Sequence, residues 1–129
     1  MPPEQDYEVL RERSALHRYE VYRRGDVVIR ETGPWAPTVH SLLRHLEHVG
    51  FGASPRVVGD GFDTDGRETL TYIEGEFTPS GPWSRDGAAA IGGMLRELHD
   101  ANASYVPPGD AVWGPWFGRP LGGPARVIG

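Results

Sequence analysis

Arg30 is the first residue in this sequence with an obvious chemical use. It closes the β-branched run Val27-Val28-Ile29. A guanidinium at a strand end offers a planar fork of donors that suits a phosphate or another anion, although an ordinary surface arginine has the same address. Glu74 and Glu76 flank Gly75 and form a carboxylate pair open to acid–base work, or simply a solvated strand exit. His45 and His48 lie three apart in a helical pattern, a spacing that can hold zinc, but no third ligand is identifiable. Asp63-Thr64-Asp65-Gly66 resembles half of a calcium loop without its later Glu, and a hairpin turn explains it as well. His40 reads as a helix-surface or partly buried histidine. Trp113 and Trp116 either close a ligand cleft or cover a helix.

Composition narrows these options. The 129 residues carry a net charge of -5, and no basic stripe with interleaved aromatics suggests nucleic acid. No run approaches the roughly 18 apolar residues of a membrane span. Met1 to Arg13 lacks the apolar heart of a signal peptide. With no Cys, disulfides and thiolate metal sites are excluded, and a cytoplasmic setting is expected. All 13 Lys+Arg residues are Arg, so no mechanism that needs a lysine can run on this chain.

The elements that must position these residues follow from periodicity. Alternation over His17 to Arg23, the turn Gly25-Asp26 and the run Val27 to Glu31 predict a strand pair, and Asp6 to Leu10 adds an earlier strand. Val39, Leu42, Leu43, Leu46 and Val49 recur at three- and four-residue steps. They predict a helix over 37–49, with Pro37 in its first turn and Gly50 as its left-handed cap. Strands are expected over 55–61 and 67–73, joined by the Asp63–Gly66 turn. A second helix over 85–103 carries the stripe Ile91, Met94, Leu95 and Leu98, which reads as core. A long loop over 104–124 and a last strand at Arg126-Val127-Ile128 complete the chain. The fold class is α+β: a small antiparallel sheet with one packed helix, followed by a further helix and loop.

This order, with the strings Val28-Ile29-Arg30, Val39 to Leu46, Pro55 to Gly59, Tyr72-Ile73-Glu74-Gly75-Glu76 and Met94 to His99, resembles the aminoglycoside phosphotransferase and choline kinase-like family. The resemblance implies a protein-kinase-like small lobe over 1–76, and a linker with the start of a larger lobe over 77–129. It places ATP against Arg30 and the linker Thr71, Tyr72, Ile73, Glu74 and Gly75, with magnesium as the further cofactor. Phosphoryl transfer in such kinases rests on positioning and charge neutralisation.

Against that pattern, Arg30 stands where the family has a lysine, and His40 stands near its helix glutamate. No glycine-rich loop lies between the first strands, and the catalytic His-x-Asp loop and the magnesium ligands are absent. The function implied is therefore the ATP-proximal part of a small-molecule kinase, not competent alone, with any nucleotide held weakly. The shortness has three accounts: a fragment of a longer enzyme, half of a split kinase, or a non-catalytic stand-alone relative that binds a ligand or a protein. Because the larger lobe is lacking, a homodimer or a partner supplying that lobe is expected.

Overall fold

The structure is a computed structural model that describes residues 7–77 and 81–114. It is an α+β arrangement of a five-stranded antiparallel sheet and two helices. The chain runs β1 (Glu8–Arg11), β2 (Val21–Arg24), β3 (Val27–Arg30), α1 (Ala36–His48), β4 (Val57–Phe62), β5 (Glu68–Thr71) and α2 (Arg85–Asn102). Across the sheet the order is β1-β2-β3-β5-β4. Strand β5 therefore comes back into the sheet between β3 and β4.

Among the element ends that differ from the sequence reading, two have a visible local cause. The expected strand over His17 to Arg23 starts only at Val21, because the Ser14 hydroxyl accepts the backbone N–H groups of Leu16 and His17. Those bonds hold a local turn that competes with ladder pairing. Strand β5 ends at Thr71, opposite Val27, the first residue of β3. The next N–H, from Tyr72, donates to Asp26 in the β2–β3 turn at 2.7 Å, and the ladder has no further partner. The expected strand at Arg126 to Ile128, together with Trp116, lies outside the described residues.

Helix α1 begins with Pro37 in its first turn and has no side-chain cap. At its other end Gly50 takes φ 82°, a conformation that glycine adopts without a Cβ penalty. The reversal lets the Phe51 N–H bond the Leu46 carbonyl at 2.9 Å and returns the Phe51 ring to the interior. There Leu43, Leu46, Phe51 and Leu70 form the core cluster, with Val39, Leu42, Val57, Leu98 and Ala101 packed around it.

Helix α2 starts on the Ser84 hydroxyl, which accepts the Gly87 N–H at 3.0 Å, a normal N-cap. The stripe Ile91, Met94, Leu95 and Leu98 is not uniformly core. Leu98 reaches the core cluster, whereas Met94 and Leu95 are 44% and 45% exposed. The physical reason is geometric: only the C-terminal end of α2 lies against α1. Polar ties fix that end. The His45 Nε2–H donates to the Ala101 carbonyl at 2.8 Å, the Tyr105 hydroxyl donates to Ser41 Oγ at 3.2 Å, and the Val112 N–H donates to Thr38 Oγ1 at 2.8 Å. His45 thus joins two helices.

The Asp63–Gly66 segment is a hairpin turn. Asp63 Oδ1 accepts the N–H groups of Asp65 and Arg67 at 2.9 and 2.8 Å, and Oδ2 accepts from Arg67 Nε at 2.8 Å. Partial burial would raise the Asp63 pKa, but the backbone N–H and the guanidinium of Arg67, with the Asp65 N–H, outweigh it and hold the carboxyl below its usual 3.8. A depressed folded-state pKa contributes stability above the unfolded value and loses it as pH falls through the folded value. Asp63→Ala should cost about 1–2 kcal/mol at neutral pH. Urea titrations at pH 7 and below pH 3 should show the gap between variant and wild type shrinking in acid.

Candidate functional site

Cross-strand register builds the site. Arg30 on β3 is paired with Val21 on one side and Glu68 on the other. Directly opposed residues share one face of an antiparallel sheet, and this is the face that α1 covers, because Leu70, two residues beyond Glu68, belongs to the α1 core cluster. The Glu68 side chain is only 3% exposed. A carboxylate at that depth must be compensated, and two cation-capable side chains do so. Arg30 Nε donates to Oε1, and His40 Nε2, from α1, lies 2.9 Å from Oε2. An ionised carboxylate only accepts, so His40 carries its proton on Nε2 in this contact.

His40 is itself 4% exposed, which corrects the expectation of a surface or partly buried histidine. Its ring sits 4.9 Å from that of Phe62. On another side it meets β4 backbone at Gly61, where a Cβ would lie 2.5 Å from Nδ1 and φ is 93°. Gly61 is needed there on both counts. The sequence carried a signal for this, the Gly59-Asp60-Gly61 string within a strand, since glycine inside a strand often marks a bulge or a close approach. The register of β4 against β5 does shift between Val57 and Phe62. Glu68 was missed from sequence because a lone acid in Arg67-Glu68-Thr69 reads as a strand surface residue.

Arg30 differs from its two partners in exposure. Its side chain is 42% exposed, and it lines a cleft of about 500 Å³ with Leu10, Arg11, Val21, Tyr72, Ile73, Gly75 and Phe77. Of the residues expected to act together, the fold therefore brings Arg30, Tyr72, Ile73 and Gly75 to one cleft. Thr71 and Glu74 are not among its lining residues. Thr71 faces the other way by strand alternation, and its Oγ1 accepts the Arg56 N–H at 2.8 Å. Arg23 stacks over the Tyr72 ring at 3.7 Å, which fixes one wall by a cation–π contact.

A second cleft, of about 580 Å³, is lined in part by Ile29, Asp63, Asp65, Arg67 and Thr69. Its Arg67 is already held by Asp63 at 2.8 Å and Asp65 at 3.6 Å, which offers an incoming charge less than Arg30 does. The cluster of Asp63, Asp65 and Arg67 closes the turn. No set of three or more His, Cys, Asp or Glu side chains among the described residues is arranged to hold a metal. Nor is any helix among them long and apolar enough to cross a membrane.

Comparison with known proteins bears directly on the kinase-family reading. The chain is 59% identical over 112 residues to the trifolitoxin immunity protein of Rhizobium leguminosarum bv. trifolii, a match covering 87% of this chain and 43% of that protein. That relative is named for immunity. The chain thus spans under half the length of the curated relative it matches. No family model matches the sequence, and no solved structure matches either. The expected membership of the aminoglycoside phosphotransferase and choline kinase-like family, and with it the reading as a kinase-like, ATP-binding transferase, is overturned by this relative. Those short strings misled because Val-Ile-Arg, a Leu-rich helix and an acidic-glycine exit are common wherever a strand, a helix and a loop follow one another.

The site should show coupled energetics. Gly61→Ala is expected to destabilise the protein by about 1–3 kcal/mol, from the left-handed φ and the contact with His40. In a His40→Ala background the contact with the ring is gone, while the φ cost and the approach to Val57 Cγ1 at 3.0 Å remain. A double-mutant cycle by urea denaturation should therefore give a clear coupling energy; strict additivity would show that the ring and the glycine are independent.

Proposed function

We propose that this chain is the binding part of a toxin-immunity protein, and that it protects by holding a toxin or another small ligand without chemical conversion. The observation that carries this reading is the 59% identity over 112 residues to a protein named for trifolitoxin immunity. The Arg30 cleft supports it as the contact region, with Tyr72, Ile73 and Gly75 along its wall. In this reading Thr71 and Glu74 frame the segment, and neither ATP nor magnesium is needed for protection.

Self-association is part of the same proposal. Met94 and Leu95 stand about half exposed on α2, and a second copy of the chain would remove them from water. Burial of such side chains contributes about 1.5–3 kcal/mol each when complete. Sedimentation at micromolar concentration should then give a mass above the 14.2 kDa of the monomer, and Leu95→Asp should bring it back to that value.

The functional test is direct. A trifolitoxin-sensitive bacterium expressing this chain should grow in the presence of trifolitoxin, and calorimetry with purified chain should register toxin binding that is unchanged by ATP, magnesium or chelator. Absence of both protection and binding would sink the reading. Binding that appears only with magnesium and ATP would point to a converted ligand instead.

A further inference from the structure

Three features of the Arg30 cleft bear on what it can accept. The first is the state of the guanidinium. Its Nε is taken by Glu68, and Glu68 is in turn fixed from the far side by His40 at 2.9 Å. Nη1 and Nη2 have no acceptor among the described residues, and they belong to a side chain that lines the cleft. A fork whose third donor is anchored is already oriented, so little rotamer entropy is lost when it binds.

The second feature is charge. The lining side chains include two arginines, Arg30 and Arg11, and no acid. Glu68 is bonded to Arg30 and offsets part of this positive charge. The two-nitrogen end of the Arg30 fork that is left open matches the two oxygens of a single carboxylate. A phosphate monoester, at about −1.5 to −2 near neutral pH, would leave excess negative charge in a chain whose net charge is already -5.

The third is the apolar part of the wall. Leu10, Val21, Ile73 and Phe77 line the same cleft, and Leu10, Ile73 and Phe77 are 41%, 60% and 103% exposed. Apolar side chains beside an oriented cation favour a ligand with a hydrocarbon body and one charged end.

We propose that Arg30, held in place by Glu68 and His40, receives the carboxylate of a monoanionic ligand whose apolar body lies against Leu10, Val21, Ile73 and Phe77. The inference rests on the binding reading above and names the ligand chemistry for it. Arg30 contacts the ligand; Glu68 and His40 are positioning residues. Arg11 adds a weaker, solvent-screened attraction at the rim.

The test uses octanoate, octanamide and octyl phosphate as probes, each titrated into the whole chain by calorimetry. Octanoate should bind at least about tenfold more tightly than octanamide, and the preference should shrink as salt rises. Arg30→Gln should abolish the preference, and Arg30→Lys should keep only part of it, since a point charge does not replace the fork. Ile73→Ala should weaken octanoate and octanamide alike. Circular dichroism confirms that each variant is folded, and the wild-type comparison of acid with amide stands without any variant. Equal affinity for octanoate and octanamide, or an Arg30→Gln protein that retains the preference, overturns the proposal; tighter binding of octyl phosphate overturns the monoanion assignment. If the octanoate preference fails while trifolitoxin protection persists in wild type and in Arg30→Gln alike, this inference is wrong and the immunity reading stands. If wild type gives no protection and no toxin binding but octanoate is preferred through Arg30, the reverse holds.

Discussion

A buried carboxylate cannot be left alone in a small protein, and the geometry around Glu68 follows from that constraint. The side chain is 3% exposed, and an uncompensated charge at such depth would cost several kcal/mol. Compensation comes from β3 through Arg30 and from α1 through His40. The sheet and the helix are therefore fixed relative to one another by a directional contact as well as by the non-directional packing of Leu43, Leu46, Phe51 and Leu70. The apolar cluster supplies most of the favourable burial. The polar relay selects one register and one helix position among the several that would bury the same area.

The consequences run outward from that relay. Holding His40 against Glu68 brings its ring up to β4 backbone, and Gly61 is the residue that leaves space for it. Holding Arg30 by its Nε leaves the other end of the guanidinium toward a cleft with apolar walls. In this way a stability requirement in the interior orients a cation at the surface. The strand cation shares its Nε with its own cross-strand neighbour, and the helix position opposite contributes a histidine to the same carboxylate.

Elsewhere the structure relies on short-range devices. The Asp63 turn is closed by its own carboxylate and by Arg67. The end of α2 is fastened to α1 by His45 and Ala101, and the segment after it by Tyr105 with Ser41 and Val112 with Thr38. These contacts give His45 a structural duty between the two helices, with its Nε2 as the donor.

The sequence by itself determined the elements, because their signals are local. The three- and four-residue spacing of Val39, Leu42, Leu43 and Leu46, the glycine cap at Gly50 and the Asp63–Gly66 turn each act over fewer than about ten residues, and the structure has α1, its reversal and the β4–β5 hairpin where they were expected. Part of the cleft was legible for the same reason: Arg30 ends a strand, and Tyr72 to Gly75 leave one. Glu68 was not legible. Nothing near it in sequence marks it as buried, and its partners lie 38 and 28 residues away. Only the return of β5 between β3 and β4 sets Glu68 opposite Arg30 and beneath His40. Strand order, and with it the compensation of a buried charge, is a tertiary decision. Thr71 shows the same limit from the other side, since one step along a strand reverses the face a side chain occupies and only pairing tells which face is which.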